Sequence, residues 1–455
     1  MREKIAKSIE IIQYLLFILM AFLMPLLRAF VPPLIIVSVF FALVYFFLLP
    51  SMHRWNAALC YKLLPFLLLF ALYLGGVLYS TNKDAAYFDI ETKLSLLAFP
   101  AIAYLMLAHS RRNFCSFACL RWVSFAFVLA SLLLFAQLLK AIFQTPDMVF
   151  SLENIFNWGY IAVNAQIGLH SSYAALYFAF SAAICLFSIS NFRTWYGKTK
   201  WAYLWSAFAF IIALIFIFAV FVVGAKSGLL SLGSLFVLYF IYEIGFQKHY
   251  VKSAVTLLSF CLFVGSLIYF YPSVLNKMKD TFSTVQQMHL QKHELYQGST
   301  AYRVYFWETA LATIQDKPLF GYGTGDVKEA LAPHYSDTLR NVLCSTIPEK
   351  DTYLIENHIP PYNPHNQFLQ TSIAIGLLGL SVFLSIFVCG LYWAFRTRSI
   401  LFATLNLLFL VNCLTESMLE TQAGIVFFVF FYFLFFLYLY PKLGEKTETA
   451  ILKEK

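Results

Sequence analysis

The 455-residue chain predicts an all-α, polytopic helical membrane protein with about 12 transmembrane helices and one large outward-facing loop between the ninth and tenth spans. Three observations carry that expectation. Hydrophobic residues make up 61% of the chain and charged ones 12%, against roughly 25% charged in a soluble domain, so water is not the solvent for most of its surface. Apolar runs of about 20 residues recur along its length, continuous rather than alternating, which suits helices crossing a hydrocarbon core and not barrel strands. The third is a polar interruption from Pro272 to His365, in a chain whose other apolar runs follow one another closely.

In chain order, spans are expected at 10–27, 32–50, 61–80, 93–108, 122–143, 171–190, 201–222, 228–244, 253–271, 367–395, 400–414 and 424–440. The first reads as a membrane anchor, with no cleavable signal peptide evident. Pro25, Arg28, Pro32 and Pro33 crowd the turn after it, where a re-entrant pair is an alternative. Spans seven and eight are joined by the tight turn Val222-Val-Gly224-Ala-Lys226-Ser-Gly228. Three regions follow: a bundle over 1–271, a loop domain over 272–365, and the last three spans with a cytoplasmic tail over 366–455.

Charge sets the orientation. One set of faces carries nineteen Lys and Arg in its short connections, against Arg28, Lys83, Lys93 and Lys226 on the other. Under the positive-inside rule both termini are cytoplasmic, and the long loop faces the periplasm or its equivalent. That loop holds eight basic and ten acidic side chains, so the net charge of +9 lies on the cytoplasmic side and reflects topology rather than a nucleic-acid partner. A site outside the inner membrane has no nucleotide pool, so group transfer there needs a donor activated in advance, such as a lipid-linked diphosphate. The cysteines at 60, 115, 119, 185, 261, 344, 389 and 413 are scattered, with only Cys344 in the loop, and imply no disulfide framework. Cys115 and Cys119 near His109 lack a complete metal-ligand set, and no metal or other cofactor is expected.

Several outward-facing residues are candidates for chemistry. Lys226 is a cation in an apolar turn; it either snorkels to the interface or binds an anion, and Gly224 and Gly228 beside it favour close backbone approach. Arg303 falls in the first turn of an amphipathic helix expected from Ser299-Thr300 to about Gln315, with Tyr302, Tyr305, Phe306, Ala310 and Ile314 at near-helical spacing and Pro318 as its stop. A cation at a helix N-terminus needs an anion, which Glu308, Asp280 or a substrate phosphate could supply. Gly321-Tyr-Gly-Thr-Gly325 lacks a preceding strand and a Gly-Lys-Ser/Thr ending, and reads as a compact turn rather than a phosphate loop. His365, after a proline-stiffened approach to span ten, suits a general base. His170 takes an analogous place before span six, next to Tyr173, while Glu416 and Glu420 sit in the turn before span twelve, where they could orient Arg303, contact a polar acceptor or simply be solvated. His170, Tyr173 and Glu416 are possible orienting or acceptor-contacting groups.

Taken together, Arg303-x-x-x-Trp307, Asp316-Lys-Pro-Leu-Phe-Gly-Tyr-Gly-Thr-Gly325, His365-Asn-Gln-Phe-Leu and Gly376-Leu-Leu-Gly-Leu380 resemble the O-antigen ligase/polymerase superfamily, best from about 220 to 425. The resemblance implies a metal-independent glycosyltransferase of the bacterial inner membrane. It would move a glycan from undecaprenyl diphosphate to an acceptor hydroxyl, with His365 catalytic and Arg303 and Lys226 on the diphosphate. At the Lys226 position the family carries Arg. Lipid A-core is the expected acceptor; a second lipid-linked repeat or a protein hydroxyl are alternatives within the same chemistry. A polysaccharide or lipid transporter is the reading from another class. It is disfavoured by spans almost free of acidic residues and by the lack of a clear internal repeat.

Overall fold

A computed structural model describes residues 2–49, 57–108, 116–144, 151–196, 199–246, 250–270, 299–335 and 362–451, with isolated positions between them. In hydrocarbon every backbone N–H and C=O must find an internal partner, and a helix supplies one within its own segment. Each expected apolar run is accordingly a helix: α1 (Arg2–Leu26), α2 (Val31–Leu48), α3 (Ala57–Tyr79), α4 (Lys83–Lys93) continued by α5 (Ser95–Leu107), α6 (Phe117–Phe143), α8 (Ser171–Tyr196), α9 (Lys200–Val223), α10 (Lys226–Ile241), α11 (Tyr250–Phe270), α14 (Gln367–Thr397), α15 (Ile400–Cys413) and α16 (Gln422–Ile451). Ten of these segments are long and apolar enough to cross a membrane, while α11 (over Ser253–Ser266) and α15 contribute shorter apolar helices. The architecture is all-α and polytopic, with no strand among the described residues. The crowded turn after α1 becomes one 3-10 turn, Arg28–Phe30, and Pro32 and Pro33 fall in the first turn of α2, where their missing N–H groups go unneeded. The first two runs are therefore two helices joined by a short turn.

Leu78, Val388 and Phe395, on the perimeter of the bundle, are strongly exposed, as suits a lipid-facing surface, while α8 and α16 lie inside. The α16 run from Phe427 to Phe436 interlocks with rings of α6 and α8; Phe127 and Phe431 meet edge to face at 4.9 Å and Phe180 and Phe431 at 5.0 Å. Such pairs add about 0.5–1.5 kcal/mol each beyond their burial. This rigid centre carries the connections above it.

Among the described residues, three further α-helices lie outside the membrane-crossing segments: α7 (Leu152–Ile161), α12 (Ser299–Asp316) and α13 (Val327–Leu331). α12 is the expected amphipathic helix. Its buried face is Ala301, Tyr305, Phe306, Thr309, Ala310 and Thr313, with Tyr302 and Ile314 at the margins. The two threonines are tolerated because their hydroxyls donate to the Tyr305 and Thr309 carbonyls.

Helix α14 is broken at Ile375 (φ −132°, ψ 20°) and Gly376 (φ 71°, ψ −176°). The segment 318–323 supplies the backbone partners lost there. Tyr322 N and Gly323 N donate to the Ile373 and Ala374 carbonyls at 2.8 and 3.0 Å, while Leu377 N and Leu378 N donate to those of Pro318 and Leu319 at 2.7 and 3.4 Å. The glycine run is thus a turn that also plugs a helix break. A Cβ at Gly376 would collide with the Leu319 carbonyl, and one at Gly321 with that of Ile373. Just beyond, the Asp326 carboxylate accepts from Thr81 N (2.6 Å) and Asn82 N (2.8 Å), tying the plug to the start of α4.

Candidate active site

The connections α1–α2, α7–α8, α9–α10, α15–α16 and the described ends of the long loop meet at one end of the bundle. Arg28 Nη2 donates to the Gly168 carbonyl at 2.7 Å, Lys226 Nζ donates to Thr300 Oγ1, and His365 contacts Glu416. The local sequence around His365 explains its placement. Pro364 holds the approach, and its carbonyl accepts from Trp307 Nε1 of α12 at 3.0 Å. Asn363 Oδ1 accepts from His365 N at 2.9 Å, and the Asn366 side chain caps α14 by accepting from Phe368 N and Leu369 N. His365 sits between these two Asn residues in the left-handed region, with φ 45°. Such a conformation is uncommon outside Gly, although His adopts it more readily than most side chains, as Asn and Asp do, and it is found at functional sites in many proteins.

His365 Nδ1 lies 3.0 Å from Glu416 Oε1. An ionised carboxylate can only accept, so Nδ1 carries the proton of this bond and Nε2 of the neutral ring is left with its lone pair. Glu416 is 5% exposed, and its other oxygen, Oε2, lies 3.6 Å from His170 Nδ1. Burial alone would raise the Glu416 carboxyl. The hydrogen bond and charge of His365, with the charges of His170 and Arg303, instead bring it below the usual carboxylate range. The His170 imidazole binds a proton less readily than usual because burial disfavours its charged form; Glu416 opposes this, and His365 and Arg303 add to it. Arg303 therefore acts electrostatically on Glu416 and on His170. Of the anions expected for it, Glu308 is exposed and Asp280 lies outside the described residues.

Lys226 is the first residue of α10, and Thr300 and Arg303 belong to the first turn of α12. The bond from Lys226 to Thr300 brings these two helix N-termini together. Each contributes the positive end of a macrodipole, so two cations and two dipole ends favour an anion at this point. The glycines near Lys226 have other work. Gly224 caps α9 in a left-handed conformation (φ 68°), and a Cβ on Gly228 would strike Ala175 of α8. Their expected role of admitting a ligand to the backbone gives way to chain reversal and helix packing. Tyr173 is 4% exposed, and its hydroxyl is 3.5 Å from the Ser417 carbonyl; it supports the Glu416 turn from below rather than facing an open cavity. His365, Glu416, His170 and Arg303 are thus one electrostatic group, Lys226 is linked to it through α12, and Tyr173 lies underneath. Among the described residues no three His, Cys, Asp or Glu side chains are grouped as a metal ion would need.

Sequence reasoning missed a second layer. Asn366 Nδ2 donates to the Leu414 carbonyl at 3.1 Å, and Gln367 Oε1 accepts from Leu419 N at 2.7 Å. His365, Asn366 and Gln367 consequently all grip the turn from Leu414 to Glu420. The signal available was the polar run His365-Asn-Gln at the mouth of an apolar helix.

Residues 211–384 match the family model described as O-antigen ligase. The resemblance of this chain to the O-antigen ligase superfamily therefore holds over a stretch that includes Lys226, Arg303 and His365. His170 and Glu416 lie outside it. Over 128 residues the chain is 30% identical to a protein of Rickettsia prowazekii (strain Madrid E) and 29% identical to one of Rickettsia typhi (strain ATCC VR-144 / Wilmington). Both carry the name "putative polysaccharide ligase". Each match covers 28% of this chain and 27% of the relative, so the chain spans about a quarter of the length of the curated relatives it matches.

Proposed function

We propose that this chain is an O-antigen ligase-like glycosyltransferase of the bacterial inner membrane. In this reading it takes a glycan from undecaprenyl diphosphate and passes it to an acceptor hydroxyl of lipid A-core at the periplasmic face, with both termini cytoplasmic. The observation that carries the reading is the His365–Glu416 hydrogen bond, set beside two helix N-termini that bear Lys226 and Arg303.

The chemistry follows from those groups. The acceptor oxygen attacks the anomeric carbon, its proton passes to His365 Nε2, and the bond from the anomeric carbon to the diphosphate oxygen breaks. The electron pair leaves with undecaprenyl diphosphate. Arg303 and Lys226 hold that diphosphate and absorb the growing charge, so no strong general acid is required. Glu416 fixes the tautomer and orientation of His365 and stabilises the imidazolium that forms, as a carboxylate behind a catalytic histidine does elsewhere. The apolar outer surface lets the polyprenyl tail enter sideways from the bilayer, and no step is routed through a metal. Polymerisation onto a second lipid-linked repeat, or transfer to protein, would use the same groups.

The break in α14 is a feature transporters use at substrate sites. Here its freed backbone groups are taken by residues 318–323, which favours transfer chemistry over transport.

The test is glycan transfer in membranes carrying Arg303→Ala or Lys226→Ala at matched expression. Each is expected to lower transfer at least about tenfold, a loss of roughly 1.4 kcal/mol of transition-state stabilisation. Wild-type rates in both would refute the diphosphate site. Deletion separates the acceptors: uncapped lipid A-core with intact lipid-linked polymer supports the ligase reading, and single-repeat chains support polymerisation.

A further inference from the structure

Lys93 has no exposed surface, although it lies within the membrane-crossing segment Lys83–Leu107. Its ammonium is 2.8 Å from Glu420 Oε2 and 3.4 Å from Asp89 Oδ2, and stands 4.8 Å from the centre of the Tyr73 ring. From Glu420 the contacts continue to Gln367 Nε2 (3.4 Å), from there to Thr371 Oγ1 (3.0 Å), and from Thr371 to Tyr73 OH (3.1 Å). This closes a ring of five side chains around the first turn of α14. A buried ion pair of this kind is seldom a net source of stability, because apolar replacements of similar volume are often neutral or better. Its cost in a membrane segment calls for another use.

The ring touches the candidate site at two points. Gln367 is two residues from His365, and Glu420 ends the turn that carries Glu416. We propose that Lys93 is a positioning residue: through Glu420 and Gln367 it sets the seat of the Leu414–Glu420 turn, and hence the His365–Glu416 hydrogen bond. Lys93 touches no substrate in this scheme. The inference rests on the glycan-transfer reading, since it needs His365 to be the base.

The full chain in lipid nanodiscs tests it, with a synthetic undecaprenyl-diphosphate-linked repeat as donor and lipid A-core as acceptor, following release of undecaprenyl diphosphate. In an Asp89→Asn background, which leaves no carboxylate facing the vacated position, the charge-free pair Lys93→Met/Glu420→Met is expected to keep a near wild-type melting temperature and a donor KM within about twofold, while kcat falls at least about tenfold. Added to Glu416→Gln, the same pair should cost little further rate, because both changes disturb one hydrogen bond. Gln367→Met leaves the Lys93–Glu420 pair intact and should show the same loss of kcat and the same non-additivity, which covers the case of a double variant that does not fold. Unchanged kcat in these variants, or losses fully additive with Glu416→Gln, overturns the role of Lys93. His365→Ala is the control that separates the two readings. If it transfers glycan at the wild-type rate, the transfer reading itself fails. If it is inactive while the Lys93 and Gln367 variants are normal, only the positioning role fails.

Discussion

Glu416 carries a different neighbour on each oxygen, His365 at 3.0 Å and His170 at 3.6 Å, and is buried between them. Because the folded protein holds this carboxyl below its ordinary value, its contribution to stability is complete above the usual carboxylate range, about 4.3, and is lost as pH falls through the lower folded value. His170 acts in the same direction, at higher pH: burial makes it bind a proton less readily than in the unfolded chain, so acid below about 6.5 favours unfolding at this site. Glu416→Gln is thus expected to lower the melting temperature near neutral pH, with the gap closing only as pH falls below about 4.3. A gap that stays unchanged well below about 4.3 would contradict the assignment. Sequence reasoning offered Glu416 as a group that could orient Arg303 but could not set it between His365 and His170, since no short-range pattern encodes a contact across so much of the chain.

At the scale of elements, the least legible feature was the partnership between the glycine run and α14. Gly321 to Gly325 looked like a turn, and Gly376 like part of an apolar helix. Only the fold shows that the two glycine-bearing segments exchange backbone hydrogen bonds. The consequence is a strict demand at Gly376, where φ is 71° and a side chain would meet the Leu319 carbonyl. Gly376→Ala should therefore destabilise the protein by about 1–3 kcal/mol, read as a lower melting temperature in detergent. An unchanged melting temperature would mean that the plug is not needed to hold the broken helix. Helix α12 was legible from its spacing, because an amphipathic stripe is a local property. Its polar buried positions Thr309 and Thr313 were not, since their acceptability depends on hydroxyls bonding back to the preceding turn.

Across the whole molecule, the helices were readable because hydrocarbon forces each backbone segment to satisfy itself, so every apolar run had one solution. Lys93 shows the limit of that reading. In the sequence it was a charge at a membrane boundary, whereas in the fold it has no exposed surface and pairs with Glu420, more than three hundred residues away. The orientation rests on charge asymmetry and has its own test. A cysteine placed at the exposed position Glu308 should react with an impermeant maleimide in intact cells, and one at Lys446 should react only after permeabilisation, both in a background lacking the native cysteines. The reverse pattern would put the candidate site in the cytoplasm and remove the case for a lipid-linked donor.

The central claim is that His365, held by Glu416 beside Lys226 and Arg303, deprotonates an acceptor hydroxyl during glycan transfer. Its most direct measurement is the rate of glycan transfer from a lipid-linked donor in membranes carrying His365→Ala at matched expression. The predicted result is a fall of roughly 10²–10⁴-fold with the protein still folded. Transfer at the wild-type rate would contradict it.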